Sequence, residues 1–292
     1  MTLFLSQLIN GVHVGSIYAL IALGYTMVYG IVQLINFAHG DILMVGAYTV
    51  VVMVNMLGLS PIVAILLSIM VCILFGVLIE QIAYKPLRNS PKMSSLITAI
   101  GVSMLLQNAA QLLFTPTPKP YPAMISVRPI TIGSLQISIT TIIAFTVSVL
   151  LMMLLQSFVT SSKAGKAMRA VSADMSAAQL MGINVNTTIT LTFAIGCALA
   201  AVGSVLYCMA YPTVSPTLGS LPGVKAFIAA VLGGIGIIPG AMIGGFILGI
   251  AESLTKGYIS SQLSDAVVYG ILIIVLLFKP AGLLGKKFRE KV

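Results

Sequence analysis

A 292-residue chain that is 59% hydrophobic and only 7% charged, with a mean hydropathy of +1.11, cannot clothe a water-facing surface, since an ordinary soluble domain is about 25% charged. Residues 1–40 hold no Lys, Arg, Asp or Glu, whereas about 20 apolar residues suffice to cross a bilayer, so an unusually apolar soluble enzyme is excluded too. The net charge of +9 does not argue for nucleic acid, because the cations are bunched as Lys85, Arg88 and Lys92, then Lys163, Lys166 and Arg169, then Lys279, Lys286, Lys287, Arg289 and Lys291.

Short loops rich in Lys and Arg stay on the cytoplasmic side, where anionic headgroups attract them. Spans must be helices or a closed barrel, because lipid offers the backbone no partners. Runs such as "IIAFTVSVLLMMLL" lack the alternation of barrel strands. The expected fold is therefore an all-α polytopic membrane protein, a single transmembrane domain over residues 1–292 with about eight membrane helices.

The first apolar segment, residues 3–34, has no basic flank and exceeds the ~7–15 residues of a signal-peptide core, so it reads as retained. It is followed by 41–57 and 61–84; three crossings before Lys85 place the N-terminus outside. "NFAHGD" interrupts the first two. Asp41 suits an N-cap, its carboxylate accepting free amides of the next turn, and Gly40 lets the chain turn. Alternatively, Asn36, His39 and Asp41 line a pathway, since ionisable groups inside a membrane are costly and functional by default. Glu80, near Lys85 and Arg88, reads as reaching the inner interface.

Next comes 94–114, on which Ser94, Thr98, Gly101, Asn108 and Gln111 recur at helical spacing. That stripe lines a hydrated cavity or bonds to neighbouring helices. The proline-rich loop over 115–135 cannot continue a helix and is external, leading into 136–158. The following stretch, "SSKAGKAMRAVSADMSAAQLMGINVN", reads as one short amphipathic cytoplasmic helix within 163–183, with Ser162 as cap and Gly182 as stop. Lys166, Arg169, Ser172, Ser176 and Gln179 form its polar stripe, opposite Ala167, Val171, Met175, Ala178 and Met181. It lies on the membrane surface or docks into a protein groove, the choice that a face of Ala and Met favours.

Between Arg169 and Lys279 only 187–211, 226–251 and 265–278 are plainly apolar, an odd number between two cytoplasmic flanks. The middle one, "AFIAAVLGGIGIIPGAMIGGFILGIAE", is either one helix softened for close packing or two limbs, 225–234 and 240–252, broken near 225–240. Parity favours the break, of the kind that lines a watery cavity. Cys72, Cys197 and Cys208 read as packing residues. The chain carries no phosphate loop, no H-E-x-x-H and no zinc-spaced Cys/His cluster.

Taken in order, "INFAHGDILMVGAY", "AGKAMRAVSADMSAAQLMGINV" and "AFIAAVLGGIGIIPGAMIGGFILG" resemble the permease subunits of ABC importers for branched-chain amino acids, over residues 8–284. Urea-type and sugar- or nucleoside-type permeases are relatives of that family. The resemblance implies a non-enzymatic permease of the bacterial plasma (inner) membrane with its C-terminus cytoplasmic. It implies two ATP-binding subunits that carry ATP and Mg, a second permease, identical or homologous, and a solute-binding protein, with no cofactor in this chain. It carries an ATPase-coupling role to Gly165, Arg169, Ala170, Ala178 and Gly182. A translocation-path role falls on Asn36, His39, Gly40, Asp41, Gly233, Gly234, Gly240 and Gly244, with Thr98 and Asn108 added from the polar stripe. An ion-coupled secondary transporter is the rival class, and its midplane charges reduce here to Asp41, Glu80, Glu252 and Asp265.

Overall fold

A computed structural model describes residues 2–34, 36–88, 90–124, 130–132 and 135–285. Lys286, Lys287, Arg289 and Lys291 of the last basic cluster lie outside them, as does part of the 115–135 loop. Eleven α-helices are described: α1 (Thr2–Val32), α2 (His39–Val51), α3 (Pro61–Ile79), α4 (Lys92–Phe114), α5 (Ile139–Ser161), α6 (Lys163–Ala173), α7 (Met175–Leu180), α8 (Val185–Ala210), α9 (Ser220–Gly233), α10 (Ile238–Tyr258) and α11 (Ser264–Phe278). Helices α2 and α3 each run on into a π-helical turn, Val52–Met56 and Glu80–Tyr84. Seven helices are long and apolar enough to cross a membrane. Against the expected eight, α9 and α11 are the short ones, with 14 and 15 residues, or about 21–23 Å against a hydrocarbon core of about 30 Å.

Helix α1 is the hub. It is buried along most of its length, against α10, α8, α5 and α9. Small residues on both partners let α1 and α10 run antiparallel in near-backbone contact. A Cβ on Gly11 would stand 2.7 Å from Ile250 Cα, one on Gly15 would stand 2.9 Å from Phe246 Cα, and one on Gly245 would stand 2.5 Å from Ala19 Cα. In lipid, where water provides no drive to associate, such close approach supplies the attraction. The long flanks of α3, α4 and α5 keep exposed leucine, isoleucine and methionine, as a lipid-facing rim requires.

Two short pairings mark one end of the bundle. β1 (Lys119–Pro120) pairs antiparallel with β4 (Thr213–Val214), and β2 (Ile130–Ile132) pairs with β3 (Leu135–Ile137). Lys119 is in β1 itself, whereas Lys85, Arg88, Lys163, Lys166 and Arg169 gather at the opposite end. There Arg88 donates to Asn186 at the start of α8, and α6 follows directly on α5. Cys72, Cys197 and Cys208 are free and buried.

The long glycine-rich segment is indeed two helices. Only residues 234–237 separate α9 from α10, and α9 begins at Ser220, five residues before the expected limb, with Pro222 in its first turn where a missing amide costs nothing. Four helices, α8 to α11, thus lie where the sequence showed three apolar segments.

Candidate functional site

Helix α1 ends at Val32, Gln33 takes a positive φ of 55°, and the chain re-enters a helix at His39. Asp41 is thus inside the first turn of α2 and not its cap, a correction to the sequence reading. The N-cap position is Ala38, which offers no side-chain bond. Asp41 Oδ1 accepts from Gln107 Nε2 on α4 at 2.9 Å, and its place in the first turn still favours a negative charge. Gly40 is needed for approach, not for turning: a Cβ there would lie 2.6 Å from Gly219 O and 3.1 Å from Gly223 Cα. The N-termini of α2 and α9 therefore converge inside the bundle.

Beside this convergence Asn36 and His39 are buried. Asn36 Oδ1 accepts from Tyr84 OH at 2.9 Å. The His39 ring meets Tyr25 edge-on, with centroids 4.6 Å apart, and neither ring nitrogen has a hydrogen-bond partner. A void of about 10 Å³ lies among Tyr25, Asn36, His39 and Phe227. It is too small for a solute, so the break is shut in this conformation.

The second break lies elsewhere. Gly30 abuts Gly236, where a Cβ would stand 2.8 Å from Cα, and Gly234 has φ +107°. Gly240 packs against Gly233, its Cβ position 2.5 Å from the Gly233 carbonyl oxygen. The carbonyls freed at the end of α9 are answered from beyond α11: Leu283 N donates to Leu232 O at 2.8 Å and Leu284 N to Gly233 O at 3.1 Å. Such partners satisfy the orphan groups of a helix end. Gly236 also lines a cleft with Met168 and Arg169. Gly233, Gly234 and Gly240 thus gather at the α6 end of the molecule, apart from Gly40, whose glycine neighbours are Gly219 and Gly223.

On α4, Thr98 is half-buried, while Asn108 is exposed and bonds only to Met104 O of its own helix at 2.7 Å. The residue that faces the first break is Gln107, which donates to Asp41 and also approaches Ser103 and Ser220. One position along a helix is a rotation of about 100°, enough to turn the expected stripe away from the break.

The 163–183 stretch is two helices and not one. Ser162 Oγ accepts from Gly165 N at 2.9 Å, as expected of a cap. Asp174 then interrupts the run and caps α7, accepting from Ser176 N and Ala177 N at 2.8 and 2.9 Å. Gly182 takes φ +82°, and Ile183 N reaches back to Ala178 O at 3.0 Å, the helix-ending bond of a left-handed stop. Gly165, Met168, Val171 and Ala178 are buried, and Ala170 is half-buried. A Cβ on Gly165 would stand 2.5 Å from Val159 Cα. Arg169 is exposed and donates to Thr160 O at 3.0 Å. Met181, expected on the apolar docking face, is 82% exposed beside Leu180 at 89%.

Two charged groupings carry more than the sequence indicated. Glu80 is fully buried, ion-paired with Arg88 and accepting from Thr190 at 2.8 Å, so it ties α3 to α8. Glu252, expected near a span end, accepts from Tyr18 OH at 2.8 Å, Lys225 Nζ at 2.8 Å and Lys256 Nζ at 2.6 Å. Lys225 also pairs with Asp265 at 2.6 Å. Among the described residues, no three His, Cys, Asp or Glu side chains sit together as a metal site would need.

Helices interrupted inside an apolar bundle, with polar groups collected at the interruptions, define a multi-pass membrane protein of the transport-permease class. Residues 7–276 match the family described as branched-chain amino acid transport system / permease component, and the chain belongs to that family. It is 46% identical to the high-affinity branched-chain amino acid transport system permease protein BraD of Pseudomonas aeruginosa, over 99% of this chain and 98% of the relative. It is 45% identical to LivH of Salmonella typhimurium over the same shares. A probable LivH from Methanocaldococcus jannaschii is 29% identical over 94% of this chain and 90% of the relative.

Proposed function

We propose that this chain is one permease of an ATP-driven importer that moves leucine, isoleucine and valine across the cell (inner) membrane by alternating access. The observation that carries the reading is near-full-length similarity to BraD and LivH, whose names state that cargo class. A second permease, two ATP-binding subunits with their ATP and Mg, and a solute-binding protein complete the assembly. The α6–α7 side faces the cytoplasm and the N-terminus lies outside. Gly165, Arg169, Ala170, Ala178 and Gly182 shape the element that couples to the ATPases, and Leu180 and Met181 are its contact tip.

In this reading the chain performs no bond chemistry. ATP hydrolysis in the partners biases an inward- against an outward-open arrangement. Asn36, His39, Gly40 and Asp41 border the path at the shut first break, Thr98 lies nine positions from Gln107 and is given no place there, and Gly233, Gly234 and Gly240 form the hinge next to the coupling element. Asn108 faces away from the break and is assigned no contact with solute.

Proteoliposomes holding the assembled complex provide the test. ATP-dependent uptake of labelled leucine, isoleucine and valine, in preference to urea and ribose, is the expected result. Equal uptake by the permease chain alone, with no ATPase present, would refute the proposal in favour of a secondary transporter.

A further inference from the structure

At the end of the bundle opposite α6 and α7, a cavity of about 440 Å³ opens between α1, α5 and α10. Its size falls in the range of about 300–1,000 Å³ typical of small-molecule sites. Gln7, Asn10, His13, Thr141, Glu252 and Lys256 give it polar walls, and Val14 and Met209 add an apolar side. His13 is buried to nine-tenths and shares a hydrogen bond with Thr141 Oγ1 through Nδ1 at 2.9 Å, while Nε2 has no partner. Buried polar atoms left unpaired are rare; Nε2 is closed off from the cavity in this conformation, and a solute would pair it by turning the ring toward the cavity.

The charges beside it are balanced. Lys225 and Lys256 face Glu252 and Asp265, and Lys225 holds Glu252 from behind at 2.8 Å. Lys256 pairs with Glu252 at 2.6 Å from a half-exposed position on the cavity wall. We infer that this cavity is an outward-side binding site for the head group of an α-amino acid zwitterion. The solute exchanges the Lys256–Glu252 pair for two new ones, its carboxylate on Lys256 and its ammonium on Glu252. Charge is conserved, so no ion is left unpaired in a poorly solvated wall, which would be costly. His13 Nε2 and the Asn10 amide complete the polar contacts, and the side chain lies toward Val14 and Met209. A neutral solute offers no such exchange. The inference rests on the amino-acid reading above and adds the place where the cargo is first held.

The test uses the assembled complex carrying Ser138→Cys, an exposed cavity-lining position with no assigned contact to the solute, since the native cysteines are buried. A membrane-impermeant methanethiosulfonate labels the introduced thiol from outside, and leucine at ten times its dissociation constant slows labelling about tenfold. Urea and ribose leave the rate unchanged. Lys256→Met removes the leucine protection and Lys256→Arg restores it; His13→Leu weakens it, and His13→Gln restores part. Labelling that leucine does not slow, in a complex whose unsubstituted form takes up leucine, would overturn the site and leave the transport reading intact. Protection that survives Lys256→Met overturns it as well. If the unsubstituted complex takes up no leucine, the transport reading fails instead, and protection of the introduced thiol by leucine then still supports the site.

Discussion

Gly40 and Gly219 hold the N-termini of α2 and α9 in backbone contact, with room for no side chain between them: a Cβ on Gly40 would stand 2.6 Å from the Gly219 carbonyl oxygen. Neither backbone is the free end of a flexible group, so the clash cannot be relieved by a rotamer change. Gly40→Ala should push the two helices apart, at the cost of about 1–3 kcal/mol that overpacking usually brings, and should depress uptake. Gly101→Ala is the control, because nothing lies within 4 Å of the position its Cβ would take. Thermal unfolding in detergent should show a lower Tm for the first variant and an unchanged or slightly higher one for the second.

Gln107 Nε2 on α4 donates to Asp41 Oδ1 at 2.9 Å. Gln107→Leu leaves a buried carboxylate without that bond, and the expected loss is about 1–3 kcal/mol. Replacing both residues by Leu should cost less than the sum of the single changes, since removing both partners of a buried bond can be nearly neutral. A double-mutant cycle on thermal stability measures that coupling. An additive result would deny that the bond links α2 to α4.

The parts legible from sequence were those that lipid makes costly. Bunched cations, glycine-marked gaps and the parity of crossings located nearly every helix to within a few residues, because the bilayer forbids charge and unpaired backbone alike. The Ser162 cap and the Gly182 stop were legible for local reasons of the same kind. What escaped was set by tertiary contact. Lys225 and Glu252 are 27 positions apart, and nothing local tells that they meet. Asn108 and Gln107 differ by one position, and only the docked orientation of α4 decides which faces Asp41. Asp174 was legible in principle: it is a favoured N-cap type, placed in a stretch whose amphipathic rhythm masked the break.

The buried pair of Glu80 and Arg88 joins the end of α3 to the loop before α4, and Thr190 adds a bond from α8. Arg88→Met leaves Glu80 charged and enclosed, a change that typically costs about 3–5 kcal/mol. Glu80→Gln should cost less, because the amide oxygen can still accept from Arg88 or Thr190. The pairing of Arg88→Met with Glu80→Met should recover part of the loss, as apolar replacement of a whole buried pair is often tolerated. Yield of monodisperse protein and Tm across the three variants test the order.

Leu180 and Met181 are the most exposed apolar residues of the α6–α7 element, at 89% and 82%. They end a helix whose stop, Gly182, adopts φ +82°. Leu180→Ser with Met181→Ser removes little packing within this chain, so its stability should move by no more than about 0.5 kcal/mol. If the tip is where the ATP-binding subunits grip, those subunits should no longer co-purify with the folded permease. Gly182→Ala acts differently, because an L side chain resists that backbone region, a cost of about 1 kcal/mol. It should loosen the end of α7 while leaving the apolar tip in place, and so weaken co-purification without abolishing it. Retention of the ATP-binding subunits by the double serine variant would remove Leu180 and Met181 from the coupling surface.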